Sequence, residues 1–259
     1  MILDQTAIKD RLQAQMFESA QERKRFVIRS CKIDRVRYKP ESSCMVTYRL
    51  EIEDTTTRET GEQVLCGRAY PKGLSLSQWD KGRMRPLVQP QFGQPLIYLP
   101  DLELVLWSFP NDRKMATLPA AIESARFTSV ILPELIVSHL GQGWKIVGTA
   151  SHVMHYVGEH TCTVKTPVAL SHPFKNELQT LTLFGKTYYN EEGTETDRMM
   201  RQLWESEARH SSRLEMAKPL GYDTQTKTLW QLAVPGITLE ACDIDRQEFV
   251  PFLREAARA

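Results

Sequence analysis

Tyr38-Lys39-Pro40-Glu41-Ser42-Ser43-Cys44-Met45-Val46 returns later in the chain as Tyr156-Val157-Gly158-Glu159-His160-Thr161-Cys162-Thr163-Val164. Tyr, Glu, Cys and Val coincide at one offset, 118 positions. The same offset carries Leu65-Cys66-Gly67-Arg68-Ala69-Tyr70 onto Leu183-Phe184-Gly185-Lys186-Thr187-Tyr188. Further on the offset grows to 124, where Pro95-Leu96-Ile97-Tyr98 matches Pro219-Leu220-Gly221-Tyr222. Leu106-Trp107 then aligns with Leu229-Trp230, with one residue fewer in the second loop. Three blocks in one order, with length changes confined to the connections, predict two copies of one structural unit.

Each copy has the same coarse layout. Cys44, Val46, Tyr48, Leu50 and Ile52 alternate with Met45, Thr47, Arg49, Glu51 and Glu53, the period of a half-buried strand. The Pro40-Glu41 or Gly158-Glu159 step is the turn of a hairpin. A polar loop follows, Asp54 to Gly61 in the first copy and Ser171 to Gln179 in the second. The next strand ends in Gly-Arg/Lys-x-Tyr. A helix comes next in the second copy, starting at the capping-box-like Thr194-Glu195-Thr196-Asp197 and carrying Met199, Met200, Leu203 and Trp204 as its apolar stripe. Two further strands lie around Pro219–Tyr222 and Thr228–Val234. The Leu102–Trp107 run of the first copy reads as a core strand.

Helical patterns lie outside the sheets. One covers residues 4–24, with Ile8, Leu12 and Phe17 apolar. Another, Ala116–Leu140, is interrupted by Pro119 and Pro133. Asp245-Arg246-Gln247-Glu248 is a capping box opening a last helix toward Ala259. The expected fold is therefore α+β: two tandem antiparallel sheets, each with one packed helix, joined by a helical linker. The boundaries are 1–115 for the first unit, 116–143 for the linker, 144–240 for the second unit and 241–259 for the final helix.

Bulk composition limits the function classes. The chain is 41% apolar and 25% charged, as soluble globular proteins are. Its 33 basic and 32 acidic residues give a net charge of +1, without the basic excess of a nucleic-acid binder. Cys31, Cys44, Cys66, Cys162 and Cys242 form no CxxC pair, and scattered cysteines in odd number suit reduced thiols in a cytoplasm. MILDQTAIKD lacks the apolar core of a signal peptide. No apolar run reaches membrane-spanning length, so no membrane partner is expected. His152, His155 and His160 lie near one hairpin, but strand alternation turns His152 and His155 to opposite faces, against a metal site.

A five-stranded sheet with a helix between its third and fourth strands is the small lobe of a protein-kinase-like fold. The second copy resembles the aminoglycoside phosphotransferase branch of that fold. The resemblance is carried by Tyr156-Val157-Gly158-Glu159…Cys162, Phe184-Gly185-Lys186-Thr187-Tyr188, Pro219-Leu220-Gly221-Tyr222 and Trp230…Val234-Pro235-Gly236-Ile237-Thr238-Leu239, over about residues 144–245. It implies that Lys186 holds nucleotide phosphates, a point charge on a rigid strand, and that a helix carboxylate fixes it. Turning about 100° per residue from Leu203 puts Glu207 within the apolar face and Glu205 opposite, so Glu207 is preferred, although Glu205 has the more usual spacing. Backbone at Ala233, Val234 and Gly236 is implied to meet the adenine. ATP is the implied cofactor, with Mg2+ in the complete enzyme only, and the acceptor would be a small-molecule alcohol of unknown kind.

That resemblance implies a catalytic lobe which these residues do not contain. None of His139, His152, His155, His160, His172 and His210 is followed two positions later by aspartate. Asp243-Ile244-Asp245 comes too early for a metal site. The first copy carries Arg68 in place of the lysine and reads as a non-catalytic relic. The expected function is the N-terminal ATP-binding portion of a small-molecule phosphotransferase, inactive alone. The alternative is a non-catalytic, pseudokinase-like interaction or ligand-binding module.

Overall fold

The computed structural model describes residues 1–122, 127–211 and 216–236. It is an α+β structure with two antiparallel sheets, of five and six strands. The N-terminal helical pattern divides into α1 (Gln5–Gln15), capped by Asp4, and α2 (Ala20–Arg25), opened by a Ser19–Glu22 capping box. The first sheet comprises β1 (Phe26–Lys39), β2 (Ser43–Asp54), β3 (Thr60–Ala69), β4 (Leu96–Leu99) and β5 (Leu104–Ser108), in the order β1-β2-β3-β5-β4. Helix α3 (Ser75–Arg83) lies between the third and fourth strands. Then come α4 (Leu118–Ile122), a π-helical turn over Phe127–Ile131 and α5 (Leu132–Leu140).

The second sheet opens with two short strands, β6 (Lys145–Thr149) and β7 (His152–Val157), which both pair with β8 (Thr161–His172). Together they take the place of β1. It continues with β9 (Glu177–Tyr188), β10 (Pro219–Asp223) and β11 (Thr228–Leu232), running β8-β9-β11-β10. Helix α6 (Glu192–Trp204) again sits between the third and fourth strand positions, and a short α7 (Glu207–His210) follows it. The two sheets thus share one strand order.

They also share one register. All ten pairs of β2 with β3, from Cys44↔Ala69 to Glu53↔Thr60, recur 118 positions later between β8 and β9, from Cys162↔Thr187 to Ser171↔Leu178. The five pairs of β3 with β5 recur between β9 and β11, shifted by 118 on one strand and 124 on the other. Among the described residues, six non-glycine residues have left-handed φ, and they fall into three matching pairs. Glu41 and Glu159 are 118 apart, as are Arg58 and Asn176, and Glu103 and Lys227 are 124 apart. Such φ values are uncommon for side chains with a Cβ, and their recurrence at the sequence offsets shows that the turns joining the paired strands repeat as well.

The register corrects the alignment of the fifth strands. Arg68 faces Val105 and Lys186 faces Leu229, so Leu106 corresponds to Trp230, with no residue lost from the loop. A one-residue slip exchanges sheet faces. Trp107 lies on the outer face beneath α3, with Leu96, Val105 and Trp79. Trp230 lies on the inner face, pressed on Gly185, where a Cβ would come within 2.6 Å of its ring.

Each inner face is covered by the helical segment that precedes its sheet. Ile8 and Leu12 of α1, with Met16 at its C-cap, pack on Val46, Tyr48, Leu50 and Ile52. Leu118, Ile122, Phe127, Leu132 and Leu135 pack on Val164, Val168 and Leu170. Residues 116–143, expected as a linker, therefore include the core helices of the second unit. The loops are shorter than expected: β2 and β8 run on to Asp54 and His172, and only five residues separate β2 from β3 and four separate β8 from β9. Helix α6 starts at Glu192 without a side-chain cap at Glu191, so Thr194 is not its cap. Its expected apolar stripe is partly outward, with Met199 and Leu203 about half exposed. The expected final helix over 241–259 lies outside the described residues.

Candidate functional site

The outer face of each sheet carries a cation at the same register position of its third strand. Arg68 pairs with Met45 and Val105, and Lys186 pairs with Thr163 and Leu229. The two differ in surroundings. Unit two inserts its first hairpin against the outer face of unit one. Its tip, Gly158-Glu159, reaches Cys66 and Arg68. A Cβ on Gly158 would meet the Cys66 sulfur at 2.2 Å, so only glycine permits the approach.

Glu159 is buried at this junction, its side chain 4% exposed. Arg113 donates through Nε and Nη2 at 2.6 and 2.7 Å. Arg68 donates through Nε at 3.0 Å and Nη2 at 2.5 Å, and its Nη1 donates to Ser43 at 2.5 Å. Burial would raise the Glu159 carboxyl, but the hydrogen bonds and charges of Arg113 and Arg68 outweigh it and hold the group down at about 2. Asp112 completes the seal. Its Oδ2 accepts from the Tyr156 hydroxyl at 2.7 Å and the Glu159 backbone N–H at 2.8 Å. Its Oδ1 accepts from the backbone of Lys114 and Met115. Burial, with Asp112 alongside, pushes the Tyr156 phenol well above its ordinary range, so it stays a donor.

Among the described residues, unit two has no such plug. Lys186 is exposed, with Nζ 5.0 Å from the centre of the Tyr188 ring. Among the described residues it has no carboxylate partner. Helix α6 packs over the same face through Gly193, set closely against Tyr188 and Tyr222. The helix ends at Trp204, and Ser206 caps the separate turn α7 that contains Glu207. Extrapolating one helical phase through residue 207 therefore fails, and Glu207 is exposed. Glu205 is the exposed C-cap of α6. Asp197, the acid of α6 turned most inward, is held by Arg201 at 2.8 Å.

At the end of β11, the Ala233 N–H donates to the Thr182 carbonyl at 2.9 Å. Val234 is half exposed, and Gly236 has φ of 139°. The structure thus sets Ala233 at the close of the sheet, one residue past the last strand pair, Leu232 with Leu183. A bulge between Val153 and His155 corrects one further expectation. His152 pairs with Lys165 and His155 with Thr163, which share a face, so both histidines stand on the outer face. No group of metal-holding side chains occurs among the described residues.

A groove of about 770 Å³ opens between the units, lined by Arg49, Glu62, Val64, Phe109, Val153 and Tyr156 among others. None of the residues expected to bind nucleotide lines it. Sequence reasoning missed Asp112, Arg113 and Lys165. For Lys165 the signal is strand parity: it alternates with buried Val164 and Thr166 and so faces outward beside Lys186. No local pattern marks Asp112 or Arg113, whose role exists only once the second hairpin arrives. No protein-family model matches the chain, and no curated protein or solved structure matches it. Among the described residues, no helix is long and apolar enough to cross a membrane.

Proposed function

We propose that the chain is the ATP-binding portion of a small-molecule phosphotransferase of protein-kinase-like fold, and that its nucleotide site belongs to unit two. One observation carries the reading. Two antiparallel sheets, each with a helix between its third and fourth strand positions, present a cation at one third-strand position; in unit one a buried carboxylate occupies it, and in unit two, among the described residues, no carboxylate does and the lysine is exposed. Phosphoryl transfer depends on positioning and charge compensation, which an open strand lysine supplies. Unit one is the scaffold that holds the first hairpin of unit two. Mg2+ and the alcohol acceptor would be handled by residues beyond those described.

A second reading is supported by the missing partner of Lys186. With Glu207 on a separate turn and Asp197 held by Arg201, no described carboxylate fixes the lysine, as suits a non-catalytic, pseudokinase-like module. A titration of the whole chain with MgATP, followed by amide NMR shifts, tests the first reading. Part of a cleft buries only part of a nucleotide, so a dissociation constant of about 1 mM is expected, near −4 kcal/mol. Lys186→Ala should weaken binding about threefold to fivefold, as for one exposed ion pair, while leaving the spectrum folded. A parent-like dissociation constant in Lys186→Ala would sink the assignment to this lysine.

A further inference from the structure

We infer that Lys165 joins Lys186 in a two-cation site for the polyphosphate part of a ligand, on the outer face of unit two. This rests on the reading of unit two as the nucleotide-binding unit and names what its described residues recognise. Lys186 is opposite Thr163, and Lys165 is two residues beyond Thr163 on the same face. Diagonal neighbours of this kind have Cα atoms about 7–8 Å apart. Both lysines are exposed, and among the described residues neither pairs with a carboxylate. His152 and His155 stand opposite Lys165 and Thr163 on the adjoining strand and add ring N–H groups to the same face.

The first unit shows what the face does. At the position of Lys186, Arg68 receives an oxygen-rich anion, the Glu159 carboxylate, through two donors. The carboxylate stands there for the ligand class that the open face would take. At the position of Lys165 the first unit has Thr47, buried and with its hydroxyl unpartnered. A cation at this second strand position is thus present only in unit two; in unit one the second cation is Arg113, which lies outside the sheet.

The same comparison excludes the chain's own hairpin tip as the occupant. In unit one the tip fits because Gly158 meets the small Cys66. The corresponding residues for a second chain would be Pro40 on the tip and Phe184 on the receiving face, both bulkier at a contact with no room for a Cβ. An extended polyanion needs no such approach, because lysine ammonium groups reach it from above the sheet.

Inorganic tripolyphosphate, titrated calorimetrically into the full chain at low salt, separates the outcomes. Lys165→Met and Lys186→Met should each weaken binding about threefold to fivefold, as for one exposed ion pair. Lys165→Arg should retain it, and Lys175→Met, on the distant β8–β9 turn, should bind as the parent does. Parent-like binding by Lys165→Met with weakened binding by Lys186→Met overturns the two-cation site and leaves the nucleotide reading standing. No binding by the parent, or no effect of either lysine, overturns both. Self-association that depends on Glu41 would show that the face receives the tip after all.

Discussion

Glu41 and Glu159 occupy the same place in the same turn, with φ of 57° and 59°. One is exposed at the end of the first sheet, and the other is sealed between two guanidinium groups. Turn conformation is therefore not what distinguishes them. The residue before each decides: Pro40 at the free tip, Gly158 at the docked one. Repeated local sequence produces repeated backbone, and a single absent Cβ lets one copy become an interface. The lesson extends to the third strands, where Arg68 is consumed by the junction and Lys186 stays open.

Glu159→Ala should have the largest effect. It leaves two partly buried guanidinium groups facing each other without their carboxylate, which costs about 3–5 kcal/mol. Glu41→Ala should change stability by no more than about 0.5 kcal/mol. Urea denaturation of the two variants checks the contrast, and equal losses would break it.

Gly158→Ala comes next, at about 1–3 kcal/mol, because its Cβ would lie 2.2 Å from the Cys66 sulfur. A Cys66→Gly background should remove much of that cost, since the coupling between touching residues is not additive. Pro40→Ala should show no dependence on Cys66.

The acid response sharpens the same comparison. Glu159 has a folded value held down at about 2 against an ordinary 4.5. A depressed carboxyl contributes stability that is full above its unfolded value and is lost as pH falls through the folded one. Stability measured from pH 5 to 2 should therefore fall less steeply in Glu159→Gln than in the parent, while Glu41→Gln follows the parent. Parallel curves for Glu159→Gln and parent would remove the buried carboxylate from the account.

The smallest expected difference concerns the third strands. Lys186→Met should stay within about 0.5 kcal/mol of the parent, as exposed substitutions do. Arg68→Met should lose more, because it withdraws one of two cations from a buried acid. A thermal melt of each variant compares them directly.

Much of the fold could be read without coordinates. The recurrence of Tyr-x-x-Glu-x-x-Cys and Gly-Arg/Lys-x-Tyr located equivalent hairpins and third strands, because alternation and turn residues act within a few positions. The fifth-strand alignment was less secure. Leu-Trp occurs twice, but adjacent apolar residues in a strand buried on both sides do not reveal parity, and the pairing places one tryptophan outside and the other inside. Glu207 was misplaced for a related reason. Phase arguments assume a continuous helix, and Ser206 accepts the Arg209 N–H to begin a new turn instead.

Sequence alone determined that this chain is built twice, where each copy turns, and which third-strand positions carry charge, since all of these follow from short-range chemistry. Only the tertiary structure decided that the second hairpin docks on the first sheet, that Asp112 and Arg113 wait there for it, and that β8 and β9 pair in the register that sets Lys165 diagonal to Lys186. Those facts depend on contacts between residues some 20 to more than 90 positions apart, for which neither periodicity nor spacing carries a signal. What separates a consumed cation from an open one is the space left by a missing Cβ, and that space exists only after the units have packed.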